Sequence, residues 1–133
     1  MSGVKTVLLK DICHFEKGST GLMKAVPGEF PLVTTGKDHR SCDSYQFDTK
    51  AVCIPLVSST GHGHASLNNV HYQEGKFALG TILVALTAKD EEELDAHFLH
   101  LYLSQLKDVV LVPLMKGAAN VSLSITAIKS VAI

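Results

Sequence analysis

Glycine and proline punctuate the first two-thirds of the chain densely: Gly18, Gly21, Pro27, Gly28, Pro31, Gly36, Pro55, Gly61, Gly63, Gly75 and Gly80. Each one costs an interior helix stability or breaks it outright, so long helices are not expected there. The apolar runs left between them, Phe30 to Val33, Ala51 to Val57 and Thr81 to Leu86, are short and carry Val, Ile and Thr. Short strands joined by turns are the expected outcome. "NNVHYQEGKFALG" reads as a hairpin turning near Glu74 and Gly75, with Val70 to Tyr72 pairing with Phe77 to Leu79.

The pattern changes at Ala88. In "AKDEEELDAHFLHLYLSQLK", Asp90 is the expected N-cap, and Glu91, Glu92 and Glu93 suit the positive end of a helix dipole. Leu94, Phe98, Leu101 and Tyr102 follow helical spacing, as do Leu99, Leu103 and Leu106, so one long amphipathic helix should lie against the strands. Beyond it the expectations are a strand through Val112, a loop from Lys116 to Asn120, a short helix capped by Ser124, and a last strand from Ser130 to Ile133. The fold class is therefore α+β: an irregular, coiled β body of short strands with one long amphipathic helix and a short C-terminal helix.

With 133 residues, 46% of them hydrophobic and 19% charged, the chain suits a single globular domain over residues 1–133. Its apolar final residue suggests a piece of a longer protein. No apolar stretch reaches the roughly 18 residues needed to cross a bilayer, and "MSGVKTVLLKDICHF" lacks the pattern of a signal peptide. The expected location is the cytoplasm, without a membrane partner. Cys13, Cys42 and Cys53 are odd in number and widely spaced, which fits reduced thiols better than disulfides or a zinc site.

Three chemistries fit this chain poorly. His62 and His64 stand two apart, as in the HxH pair of cupin-type metal enzymes. The glutamate that should follow within a few residues is absent: Ser66, Leu67 and Asn68 fill that stretch, and the first glutamate is Glu74. A small cupin-like metal-dependent enzyme using His62 and His64 remains the alternative. "SSTGHG" is rich in hydroxyls and glycine, but no lysine follows as a P-loop requires. No Ser sits in a GxSxG elbow and no Cys–His spacing matches a thiol enzyme, so no catalytic constellation stands out.

Polymer recognition fits better. Four loops share hydroxyls, glycine, amides and basic groups: "EKGSTGLMK" with Lys17, Ser19 and Thr20; "TTGKDHRS" with Thr35, Lys37, His39 and Arg40; "SSTGHGH" with Ser58, Ser59, Thr60, His62 and His64; and "MKGAAN" with Lys116 and Asn120. Such groups bond phosphate oxygens and base edges. Lys17, Lys37 and Lys116 are expected on phosphates. Arg40, Thr60, His62, His64 and Asn120 are expected at bases, where Arg40 can pair with guanine and Asn120 with adenine. The net charge of −1 is low for a free-standing DNA binder, so the basic groups would have to be gathered locally.

The order of the pieces resembles a target-recognition domain of the specificity subunit in type I restriction-modification systems. "VLLKDICHFEKGST" resembles the family's opening Leu-x-Asp-Ile segment, its strand and its Gly-Ser/Thr turn. "GEFPLVTTGK" is similar to its Phe/Tyr-Pro-Leu/Val strand with a polar turn, and "AVCIPLVSSTGHG" to a strand ending in a Gly-containing polar loop. "DAHFLHLYLSQLK" is similar to its Phe-Leu-x-x-x-Leu helix. Gly117, Asn120, Leu123, Ile128 and Ile133 of "MKGAANVSLSITAIKSVAI" match the spacing of its closing segment, the most telling stretch.

The resemblance implies sequence-specific binding of double-stranded DNA and no catalysis. It further implies partner adenine methyltransferase and restriction subunits, with S-adenosylmethionine and ATP used by those partners and no cofactor in this chain. Any flipping of the adenine would take place in the methyltransferase pocket. Family members usually carry two such domains separated by long helices, and one is present here, so methyltransferase docking through those helices is not expected of this chain alone. The family's base-reading residues vary with the target, so the residues named above follow from loop chemistry.

Overall fold

The computed structural model describes residues 6–59, 65–117 and 121–133. Among these, eight short strands form two four-stranded sheets. The first contains β1 (Cys13–Lys17), β5 (Ala51–Pro55), β6 (His71–Gln73) and β8 (Leu83–Ala88), in the order β1-β8-β5-β6 with all neighbours antiparallel. The second contains β2 (Phe30–Val33), β3 (Arg40–Cys42), β4 (Phe47–Asp48) and β7 (Lys76–Leu79), in the order β3-β2-β7-β4. There β2 and β7 run parallel. Helices α1 (Leu9–Ile12), α2 (Ala96–Val110) and α3 (Ile125–Lys129) complete the chain. The α+β class with a β body of short strands is thus the observed one.

The first sheet is the middle layer, and its sequence shows why. All five residues of β5 are buried. Alternate side chains go to opposite faces. Val52 and Ile54 join Val84, Leu86, Leu99 and Leu103 in the main core under α2. Ala51 and Cys53 join Val33, Phe47, Phe77 and Leu79 between the two sheets. A strand covered on both faces reads as a continuous apolar run, which "AVCIP" is. On the outer face of the second sheet, Leu32, Cys42 and Ala78 are covered by Leu22 and Ala25. Burial pushes the Cys13 thiol up to about 11, with Lys89 pulling slightly the other way, and pushes Cys53 up to about 12. All three cysteines are free and buried.

The expected hairpin at Glu74–Gly75 does not form. β6 pairs with β5, and β7 pairs with β2 and β4. The pairs Phe47–Phe77, Asp48–Lys76, Ala51–Gln73 and Cys53–His71 keep one constant antiparallel register, and Thr49 and Gly75 exchange both backbone hydrogen bonds at 3.1 Å. Residues 47–53 and 71–77 are therefore one continuous ribbon, bent where it passes from one sheet to the other. Gly75 takes φ 85° at that bend, a conformation that favours glycine.

The helix begins later than expected. Asp95 is the N-cap, accepting from the His97 N–H at 3.0 Å. The Asp90 carboxylate accepts from the Glu92 N–H at 2.9 Å and closes a separate turn before the helix. Ala96, Leu99 and Leu103 face the core, whereas Phe98 and Leu101 are 55% and 58% exposed. The strand expected through Val112 is replaced by the end of α2 and a 3-10 turn, Val112–Leu114. Pro113 has no N–H to give a ladder and suits a first helical turn. The short C-terminal helix lies where expected, with Ser124 accepting from the Ala127 N–H at 3.0 Å. The final residues pair with residues 7–9 through a single Leu8–Ala132 bridge instead of a full strand.

Candidate nucleic-acid interface

Strand register decides which loops share an end of the molecule. Lys17 pairs with Val84, and Pro55 with Leu83, so the end of β1, the end of β5 and the start of β8 lie side by side. From there the Gly18 N–H donates to Leu83 O at 2.9 Å, Thr20 N–H to Leu79 O at 3.0 Å, and Thr81 N–H to Thr20 O at 3.2 Å. The Gly80 N–H donates to Val33 O at 3.0 Å, which brings the end of β2 and the loop after it to the same place. Leu56 N–H donates to Ile82 O and Ser58 N–H to Val121 O, at 2.8 and 3.0 Å. Ser122 bridges both Val57 and Lys116.

Five segments therefore converge: Lys17–Thr20, the loop after Val33, Leu56–Ser59, Gly80–Ile82, and Lys116 with Ser122. Lys17, Leu56, Val57, Ile82, Ser122 and the start of α3 enclose a groove of about 380 Å³ at this end. The far end of the first sheet, where Cys13 pairs with Ala88, leads into the exposed acids Asp90 to Glu93. At about 3.3 Å per residue, the five residues of β1 separate the two ends by roughly 15 Å. The near-neutral chain is thus biased in charge: Lys17, Lys37, Arg40 and Lys116 outnumber Glu16 and Asp38 at the convergent end, and the run Asp90 to Glu93 outnumbers Lys50 and Lys89 at the other.

Lys17, Ser19, Lys37, His39, Arg40 and Lys116 are exposed at or beside the convergent end. Among the described residues the ion pair found is Lys107–Asp108, so none of those cations is held in a direct ion pair there. Thr20 and Thr35 are half-buried, their backbones tied into the loops. The Ser58 hydroxyl accepts from the Ser66 N–H at 3.1 Å, and the Ser59 hydroxyl accepts from the Asn68 N–H at 2.8 Å. These two hydroxyls serve the loop's own backbone. Thr60, His62, His64 and Asn120 lie outside the described residues.

Three residues overlooked in the sequence hold these loops in place. The Gln46 carbonyl oxygen accepts from the Ser19 N–H at 2.9 Å, while its amide nitrogen donates to Glu16 Oε2 and Lys17 O at 2.9 and 3.0 Å. Asn69 Nδ2 donates to Thr35 O at 3.3 Å, and His71 Nε2 donates to Gly36 O at 2.8 Å. The His39 ring rests edge-on against His71, 4.8 Å between centroids. Thr34 shapes the loop from inside, its hydroxyl accepting from the Gly36 N–H at 3.3 Å. These partners stand 27 to 35 residues apart in the chain, so no local pattern announces them.

Burial lowers the His71 pKa, helped by the neighbouring His39 ring, against the opposing pull of the Gly36 carbonyl. A depressed histidine leaves the unfolded chain to take up the proton first. Its contribution is intact above the ordinary value of 6.5 and is lost as pH falls below it. Thermal melts from pH 7.5 down to 5.5 should therefore show falling stability, with a shallower fall in His71→Gln. Identical pH slopes in the two proteins would show that this contact is not pH-sensitive.

The comparisons agree with this architecture. The family model described as the type I restriction modification DNA specificity domain matches residues 1–133. The structure is similar to the type-I restriction-modification system S subunit from M. genitalium, with TM-score 0.76 and 17% identity, covering 97% of this chain and 33% of that one. It is also similar to the HsdS subunit from Thermoanaerobacter tengcongensis, with TM-score 0.63 and 19% identity, covering 97% of this chain and 32% of that one. The chain spans about a third of the length of these solved structures. No curated protein matches. Among the described residues no helix is long and apolar enough to cross a membrane. With its whole length matched by that model, the chain belongs to the type I restriction-modification DNA specificity domain family.

Proposed function

We propose that this domain reads a short stretch of double-stranded DNA through its convergent loop end and does no chemistry itself. In the cytoplasm it would direct adenine methylation by a partner methyltransferase using S-adenosylmethionine, and ATP-dependent cleavage by a partner restriction subunit. The observation that carries this reading is the bias of charge: exposed cations and hydroxyl-bearing turns outnumber acids at one end, and carboxylates outnumber cations at the other. Such a field draws a polyanion to one face even when the net charge is near zero. Lysines then supply sequence-independent attraction, and a few side chains distinguish bases. The alternative of a metal enzyme rests on His62 and His64, outside the described residues, and no observation favours it.

The test separates anchoring from reading. Lys37→Ala should weaken binding to all duplexes alike and reduce the salt dependence of affinity by about one counterion's worth. Arg40→Ala should instead lose discrimination at one base pair, at about 1–3 kcal/mol. Binding measured across a randomised duplex pool distinguishes the two patterns. The same uniform loss in both variants would refute the division of labour, and no duplex binding at low salt would refute the function.

A further inference from the structure

Met23 is 98% exposed, the most exposed of the large apolar side chains described. Water contact of this extent is unfavourable for an unbranched apolar chain, and a mobile loop would ordinarily let it fold back. Here the backbone beneath it is clamped. Leu22 and Ala25 on either side pack onto Leu32, Cys42 and Ala78. The Lys24 N–H donates to Gly21 O at 3.1 Å, closing the 3-10 turn Leu22–Lys24. The Asp43 N–H donates to Val26 O at 2.8 Å, and Gly28 lies so close to Asp43 that a Cβ would meet its Cα at 2.4 Å. A rigid turn thus points one methionine outward.

The surroundings identify what it meets. Thr20, three residues earlier, is bonded to the Gly80 turn at the convergent end. Three residues reach no further than about 10 Å, so Met23 flanks the cationic loops. Ser19, Thr20, Lys24 and Ser44 line the groove beside it, with Asp43 as the acid in that lining. The Lys24 ammonium and three hydroxyls beside a projecting apolar side chain suit a phosphate backbone with stacked bases within it. Minor-groove and architectural proteins use such apolar wedges, methionine among them, to unstack a base step. A protein partner would call for a broader apolar area, whereas Val26, 56% exposed, is the next large apolar group on this loop.

We infer that Met23 is a wedge that enters a base step beside the bases read by the loops, unstacking it and kinking the duplex. Target choice would then depend on a flexible step that no hydrogen bond reads, since pyrimidine–purine steps unstack most cheaply. This rests on the DNA reading above. The test uses duplexes selected from a random pool by the intact chain, with a fluorescent adenine analogue moved position by position through them. Binding should brighten the analogue at one step, Met23→Ala should abolish the brightening, and Met23→Leu should retain it. Both variants should keep the wild-type salt dependence. Binding with no bright position, or brightening unchanged in Met23→Ala, overturns the wedge and leaves DNA recognition standing. Failure to select any duplex overturns both.

Discussion

Alanine at Gly18 should lower the unfolding free energy by roughly 2–3 kcal/mol, a large loss for one methyl group. A Cβ built there lies 1.9 Å from Gly80 O and 2.6 Å from both Gly80 C and Leu79 O. These are backbone atoms of the β7–β8 turn, held in turn by Val33 and Thr20, so no flexible side chain can yield. Either β1 withdraws and breaks the 2.9 Å bond from Gly18 N–H to Leu83 O, or the turn is displaced and the loops at this end lose their common anchor. Gly21→Ala is the control, because a Cβ there meets nothing within 4 Å and its φ of −73° suits any residue. It should leave stability nearly unchanged or raise it by a few tenths of a kcal/mol. Urea unfolding of the two variants distinguishes them. Equal losses would mean that the close approach of β1 to the Gly80 turn does not exist in solution.

Removing Lys17, Lys37 and Lys116 together should cost far more binding than any one of them. If each neutralises one phosphate, the slope of log affinity against log salt should fall by about 2.7, and affinity near 0.1 M salt should drop on the order of 10²- to 10³-fold. Each side chain is exposed and unpaired among the described residues, so folding should be little affected. The control replaces Lys10 and Lys50, exposed cations near the acidic end, with alanine, to be set against the Lys17 and Lys37 pair. That variant loses as much charge per lysine yet should keep most of the salt slope. A slope that follows total charge regardless of position would reduce the interface to net electrostatics.

Much of the fold is legible in local chemistry. "FPLV" and "AVCIP" announce β2 and β5 because a strand covered on both faces needs an uninterrupted apolar run. Ser124 announces α3 by the bond it makes. The failures share one cause, competition between equal local signals that only distant partners decide. Glu74-Gly75 fits a hairpin turn and fits equally a bend in a longer ribbon. The partner that selects the bend is Thr49, which no window around Gly75 contains. Asp90 and Asp95 both fit an N-cap, and burial of Leu94, Leu99 and Leu103 against the sheet leaves the helix to the second.

The site divides the same way. Residue types on the loops show what chemistry is available, because exposed Lys, Arg and hydroxyls owe little to packing. How the loops are held is invisible, since Gln46, Asn69 and His71 act across long sequence separations. Ser58 and Ser59 show the cost of that blindness. Read as recognition hydroxyls, they are partly spent on the backbone of Ser66 and Asn68.

The claim that DNA meets one end of this molecule is tested most directly by amide chemical shifts of the isotope-labelled chain during titration with duplex DNA. Lys17–Thr20, Thr35–Arg40, Ser58, Ser59, Thr81, Ile82 and Lys116 should move together and saturate at one concentration. Lys50 and the run from Lys89 to Asp95 should stay still. Shifts spread evenly over both ends, or largest around Asp90 to Asp95, would contradict it.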